Sequence, residues 1–575
     1  MKATPSKMSL KPYLETVKAY CEGLSREDMV NALLTLAQEV PVQGRGDFLD
    51  RIRSFSSGIV SKRKPTGKKT DRVLLERIAA LKEEIEERIS SIEDGTYWDH
   101  ADWNDHGYDD EDPQGVTDAQ LAELEQLFQE TGRLFLEGRL EAARRSYSDL
   151  FAVVDSHYEI PRCYSSQSPD LREERARYCR CVYETAEPVG RLEEFLQCMS
   201  VETPLNRYRL DLASELFPML QDVIDAGAGD LDGWDRFLPA WEKKLSLCHT
   251  PRGAALQMEA VERMEGMKGL SRLARERKAD QPIGYLFWIQ RLEGTGDWRG
   301  ALDASREALG ILPMSGFREQ AADSLVKAGS ELGDAKAVLE GKRERFLTSP
   351  REIHLVALLE EATKQGVRSE ELDAALTHTW QNKKGWGEED SLCLKMLLMA
   401  GRIDEAFNMA KEEASVGWSS GTAGILFSAI LSLLTGNSTK ACLIQGLLKE
   451  YAGRSFGFCH GKEEDHEKMY REIAKGLGLV GQGRPEFEKY SEWAEKIGRN
   501  RVEHIVSGQH RGAYDRAAMV LGALGEYFVA SSAAEKAFSL LNEFLRVKFP
   551  RHHAFRSEVK RVVGQSTLLK DLRAV

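Results

Sequence analysis

The sequence predicts an all-α protein, an α-solenoid of stacked helix-turn-helix repeats, on three observations. The first is a recurring turn: Gly296, Gly333, Gly366, Gly401 and Gly436 stand 37, 33, 35 and 35 residues apart. Three of them open one kind of phrase, Gly296-Asp-Trp-Arg-Gly-Ala301, Gly401-Arg-Ile-Asp-Glu-Ala406 and Gly436-Asn-Ser-Thr-Lys-Ala441. A period near 34 is that of stacked helix pairs, because a single pair cannot bury its own apolar face. The second observation is that no stretch alternates apolar and polar residues with hairpin turns between. The third is length: 575 residues exceed what one hydrophobic core serves, so the chain is several domains or an open stack.

Residues 1–60 form an N-terminal helical segment, in which Ser25 caps a helix with Asp28 at its third position, ahead of Met29, Leu33, Leu34 and Leu36. A basic linker, 61–71, contains Lys62-Arg63-Lys64 and is broken by Pro65 and Gly67. Region 72–117 is a charged helix followed by an acidic aromatic loop. The helix presents Leu74, Leu75, Ile78, Leu81, Ile85 and Ile89 on one face. From Ile89 to Gly132 there is no Lys or Arg and there are thirteen Asp and Glu. Irregular helical repeats occupy 118–280, with Gly138-Arg-Leu-Glu-Ala-Ala143 as a repeat phrase, and the clearest repeats occupy 281–475. After a break at Gly476–Pro485, a basic helical segment covers 486–575; from Gly498 it holds thirteen Lys and Arg against seven Asp and Glu.

The phrase Tyr285 to Pro313 resembles the tetratricopeptide repeat: Tyr285 and Trp288 on the first helix, Gly296 and Trp298 at the turn, Ala301 and Ala308 on the second helix, Pro313 after it. Gly138, Ala143 and Tyr147 fit the same frame, as do Gly401, Ala406 and Ala410, whereas Ile289 replaces the small residue of the first helix. The run Arg499–Ser507, then His510–Ala518, then Phe549–Phe555, is similar to the helical region that accompanies SWIM-type zinc fingers in bacterial proteins. The zinc signature itself is absent, since Cys179-Arg-Cys181 has no following Cys-x-His and Cys459-His460 are adjacent. The resemblance implies a bacterial source and a helical module, and no activity.

A net charge of −13 keeps the chain soluble and argues against nucleic acid over the whole surface, leaving the basic C-terminal segment as the place for it. Met1 to Pro12 lacks the apolar core of a signal peptide, and the longest apolar run, Ala423 to Leu434, is too short to span a membrane. Nine scattered cysteines fit a reducing compartment, so a cytoplasmic location without membrane attachment is expected.

The loop Gly95–Pro113 supplies the candidate binding residues: Tyr97, Trp98, Trp103, Tyr108, Asp109 and Asp110. Aromatic anchors inside a charged rim suit an interface with a basic or helical protein partner. Asp102, Asn104, His106, Gly107 and Asp110 approximate a calcium loop, but Pro113 stands where the bidentate Glu belongs. His100 and His106 with Asp99 and Asp105 fix no tetrahedral geometry either, so no metal is assigned.

Gly476-Leu-Gly478-Leu-Val-Gly481 matches the dinucleotide-binding glycines, but a helix precedes it, where the motif needs a strand, and Pro485 ends any helix after it; no cofactor is expected. Arg499-Asn500 and His504 have the spacing of the RNA-cleaving HEPN motif, in which Arg and His act on the scissile phosphate and 2′-hydroxyl. The competing reading is a pair of ordinary helix-surface residues. The expectation is therefore a non-catalytic scaffold or adaptor of a bacterial multiprotein system. An RNase acting through Arg499 and His504 is the first alternative. The second is a regulatory component or protease target of a CRISPR-linked defence system.

Overall fold

The computed structural model describes residues 9–39, 48–49, 52, 67–94, 96, 116–156, 169–201, 216–227, 229–383, 388–413, 416, 422–453, 463–481 and 486–570. Among these the chain is all-α, without a strand. It divides into two compact units, Met1–Trp288 and Ile289–Val575.

In the first unit, α1 (Leu10–Gly23) and α2 (Arg26–Glu39) meet at Ser25, whose Oγ accepts from the Asp28 amide at 3.1 Å. Their apolar side chains stay outside any core, with Leu34 56% exposed. Helix α3 (Gly67–Glu93) starts inside the stretch read as linker and packs with α4 (Asp118–Leu136) and α5 (Leu140–Ser156), on both of which α6 (Leu171–Thr185) packs in turn. Leu74, Ile78, Leu81 and Ile85 of α3 enter one core with Phe128, Tyr147 and Phe151, as the helical spacing required. Arg77 fastens α3 to Glu130 at 2.9 Å.

A second core lies under α7 (Arg191–Cys198), α8 (Leu220–Asp225), α9 (Trp234–Leu245) and the start of α10 (Pro251–Glu276). There Tyr183, Phe195, Trp234, Phe237 and Trp241 meet mostly edge to face, with Phe195 and Trp241 centroids 5.1 Å apart. Helix α10 is two helices joined at Gly266, which sits at φ 67°. That break interrupts the helical spacing near the end of the irregular 118–280 region.

Helix α11 (Gly284–Gly294) leads through Gly296 to α12 (Trp298–Leu309), and α13 (Gly316–Leu332), α14 (Ala335–Thr348), α15 (Glu352–Lys364), α16 (Arg368–Gln381), α17 (Glu388–Met399) and α18 (Ile403–Ala410) follow. From α12 to α16 each helix packs chiefly on its chain neighbours, which makes this stretch of the second unit solenoid-like. The periodic glycines are its punctuation. Gly296, Gly333, Gly366, Gly401 and Gly436 all lie between φ 64° and 76°, the left-handed region where a Cβ is penalised. Each closes the preceding helix with the paired bonds of a Schellman turn; at Gly366, Gly366 N donates to Thr363 O and Val367 N to Ala362 O.

From α17 onward the packing changes. Helices α19 (Thr422–Leu434), α20 (Cys442–Gly453), α21 (Glu463–Gly478), α22 (Phe487–Ser507), α23 (Tyr514–Ala530), α24 (Ala534–Asn542) and α25 (His553–Gln565) pair across the sequence, α17 with α21, α19 with α22, α20 with α23 and α23 with α25. One continuous core runs from Leu339 to Leu569. The C-terminal segment is thus a layered bundle built into the second unit.

Candidate functional site

Tyr97, Trp98, Trp103, Tyr108, Asp109 and Asp110, with the calcium-loop positions from Asp102 to Pro113 and the alternatives Asp99, His100 and Asp105, lie outside the described residues. The structure does fix the two ends of that stretch. Helix α3 ends at Glu93, and the Asp94 carboxylate accepts from the Thr96 amide at 2.9 Å and its hydroxyl at 2.6 Å. Those bonds hold the Asp94 carboxyl below its ordinary pKa. On the return, Val116 is buried and Thr117 and Gln120 form a capping box on α4. Gln120 Nε2 also donates to Glu84 Oε1 at 2.9 Å, so both ends are tied to the α3–α4 pair.

Within the first unit Glu174 is held by other side chains, whereas Arg180, Arg252 and Glu259 serve the backbone. The Tyr147 hydroxyl donates to the Glu174 carboxylate, which also accepts from Arg177 Nη1 at 2.7 Å. Burial pushes the Glu174 carboxyl up to about 7, against the pull of Arg177. Gly132 makes room for this network, because a Cβ there would lie 3.1 Å from Arg177 Nη1.

Arg252 donates to Met199 O and Pro218 O, both at 2.8 Å, and its burial lowers its pKa to about 10. Glu259 accepts from the Leu220 and Gln221 amides at 2.7 and 2.8 Å, at the start of α8. Arg180 reaches Ile224 O at 2.6 Å, and the Tyr183 hydroxyl reaches Asp232 O at 2.9 Å. These side chains hold the irregular backbone around α8. They answer the need of buried carbonyls and amides for partners.

In the second unit Lys395 is fully buried, paired with Glu352 and donating to Ala452 O at 2.9 Å. Burial lowers its pKa, with Glu352 opposing. Glu526, also fully buried, accepts from the Leu443 and Ile444 amides at 3.0 and 3.1 Å and from Ser566 Oγ at 2.6 Å. It thereby caps α20 and ties the end of α25 to it. Neither residue was singled out by sequence reasoning. The available signal was a charge inside an apolar run, as in Leu394-Lys395-Met396.

Arg499 and His504 share α22 without meeting. Five residues at about 100° each turn them well apart around the helix. Arg499 is held by Glu495 Oε1 at 2.8 Å and Glu543 Oε2 at 2.7 Å. His504 is exposed, its ring 6.0 Å from that of His510.

The dinucleotide-like glycines belong to the end of α21 and the turn after it, with Gly476 inside the helix. A Cβ on Gly476 would stand 2.1 Å from Leu398 O, so that glycine permits α21 to lie against α17. Cys179 and Cys181 are both buried: Cys179 Sγ donates to Cys198 O at 3.3 Å, and burial raises the Cys181 thiol to about 12. Among the described residues no three His, Cys, Asp or Glu converge as a metal site would require. No described helix is long and apolar enough to cross a membrane.

These features define an all-α helical-repeat protein. No family model matches the chain, and no curated protein matches it. Among solved structures it is similar to a circular tandem repeat protein with novel repeat topology and enhanced subunit contact surfaces. The two are 15% identical, the match covers 86% of this chain and 98% of that one, and the TM-score is 0.16.

Proposed function

We propose that the chain is a non-catalytic scaffold or adaptor of a bacterial multiprotein system, acting in the cytoplasm. The observation that carries this reading is the way its helices are used. From α12 to α16 successive helices bury themselves chiefly on their chain neighbours, and their remaining faces form a side-chain surface of the kind that holds peptides or helices. The buried Arg252, Glu259 and Glu526 are spent largely on backbone carbonyls and amides, which fits a protein whose polar chemistry maintains shape. Engagement of Arg499 by two carboxylates speaks for the adaptor over the ribonuclease. The resemblance of Arg499–Phe555 to helical regions beside bacterial SWIM-type zinc fingers supports the bacterial setting.

The contact surface in this reading is the acidic aromatic stretch, with Trp98 and Trp103 as anchors and Asp109 and Asp110 in the rim, facing a basic or helical partner surface. A native pull-down of the tagged full-length chain, with mass spectrometry, tests it. A stoichiometric protein partner is expected, lost on Trp98→Ala with Trp103→Ala and weakened in a salt-dependent way by Asp109→Lys with Asp110→Lys. Retention of the partner by both double variants would remove the stretch from the interface.

A further inference from the structure

Arginine in this chain is usually neutralised. Arg77, Arg172, Arg272, Arg306 and Arg368, for example, each meet a carboxylate within 2.9 Å. One corner of the second unit departs from that habit. Among the described residues, the ion pairs of 498–570 include those of Arg499, Lys548 and Arg561. Arg511, Arg546, Arg551 and Arg556 take no part in them; Arg511, Arg546 and Arg551 are exposed and Arg556 is half-buried.

Packing brings the segments that carry these four side by side. Arg511 lies in the turn before Tyr514, whose ring meets that of Phe555 at 5.8 Å. Arg551 and Arg556 flank Phe555, which also meets Phe549 at 6.2 Å, and Arg556 Nη1 donates to Pro550 O at 3.2 Å. Arg546 stands on the π-helical turn Glu543–Lys548 that runs into Phe549. The exposed His504, His510 and His553 lie on the same two turns or beside them.

We propose that this corner binds the phosphate backbone of a nucleic acid without reading its sequence. The planar guanidinium fork matches two phosphate oxygens at once, which suits arginine to this role better than lysine. The aromatic rings of the corner, Tyr514, Phe549 and Phe555, are buried. They are therefore unavailable to stack on bases, and equally unavailable as the anchors that give protein interfaces their affinity. Phosphate neutralisation needs only the charges. The net charge of −13 opposes any polyanion, so binding is expected to be modest and to fade quickly with salt.

The test is fluorescence anisotropy of a labelled 20-nucleotide single-stranded RNA with the full-length chain, between 50 and 200 mM salt. Four phosphate contacts predict a slope of log affinity against log salt of roughly −3. Arg511→Gln, Arg551→Gln and Arg556→Gln together should weaken binding at least tenfold and flatten the slope by roughly 2. The matching lysine triple variant should keep most of the binding. Circular dichroism and the thermal midpoint report whether each variant folds, and Arg551→Gln alone, on an exposed turn, serves if the triple does not. Absence of binding at 50 mM salt overturns the proposal. So does unchanged binding by the folded glutamine variant, which would move the contact to another basic stretch such as Lys62-Arg63-Lys64. Displacement of the RNA by a poly-glutamate peptide of higher affinity would instead make the corner a site for an acidic protein.

Discussion

At the scale of single residues, two turns show where side-chain chemistry and backbone demand disagree. Gln509 and Ser532 close α22 and α23 with the same paired bonds as the repeat glycines, His510 N to Ile505 O and Ala533 N to Phe528 O, at φ 55° and 60°. A side chain in that region costs about 1 kcal/mol or more relative to glycine. Gln509→Gly and Ser532→Gly should each slow amide exchange in the helix they end, by several-fold for about 1 kcal/mol. Lys395 and Glu352 give a second prediction. Glu352→Ala strands a fully buried ammonium and should destabilise the second unit by about 3–5 kcal/mol, read as a lowered urea midpoint. Lys395→Met should cost clearly less, because Glu352 is partly exposed and regains water. Equal losses in the two variants would mean the pair is not desolvated as described. Glu174 sets a pH dependence. Its folded pKa, about 7, lies above its ordinary 4.5, so the folded state holds the extra proton between those values. Its contribution is present at the acid side of that window and is lost as pH rises through 7. Glu174→Gln should therefore flatten the fall in stability of the first unit between pH 5 and 8.

At the scale of helices, small residues decide which pairs approach closely. Helices α13 and α14 meet at Gly329 and Gly341: a Cβ on Gly341 would lie 2.7 Å from Val326 Cγ2 and 2.9 Å from Ala322 O. Backbone stands on one side of that contact, so it cannot yield as a long side chain would. Gly341→Val should destabilise the pair by about 1–3 kcal/mol through overpacking, seen as a drop in thermal midpoint. Gly366, whose Cβ would meet open space, fails differently: Gly366→Ala is strained by its φ of 73° and should cost about 1 kcal/mol. The sequence marks both as glycine. Only the geometry tells a packing glycine from a turn glycine.

At the scale of the second unit, two modes of assembly share one chain. From α12 to α16 contacts run chiefly to the next helix along, whereas from α17 onward pairs across the sequence are added to the neighbour contacts. A nearest-neighbour stack opens piecemeal and a bundle opens together. Gly366→Ala should thus raise hydrogen exchange locally, in α15, α16 and their neighbours. Leu524→Ala removes a fully buried side chain of α23 and should raise it across α19 to α25 at once. A uniform response to Gly366→Ala would show that the stack is as cooperative as the bundle.

The sequence by itself determined the helical class, the face of α3 that is buried and the turns at Gly138, Gly296, Gly333, Gly366, Gly401 and Gly436, because these rest on local terms: apolar spacing and the left-handed region that glycine enters freely. It could nominate the acidic aromatic stretch by composition, since aromatic and carboxylate side chains declare their chemistry without neighbours. It could not show that the turns at Gln509 and Ser532 exist, because their residues carry no local preference for that conformation and are held there by the helices on either side. Nor could it separate stack from bundle, place Lys395 and Glu526 in the interior, or gather Arg511, Arg546, Arg551 and Arg556 at one corner. Those outcomes depend on which distant helices touch, and tertiary packing alone decides where a charge meets a carboxylate and where it faces water.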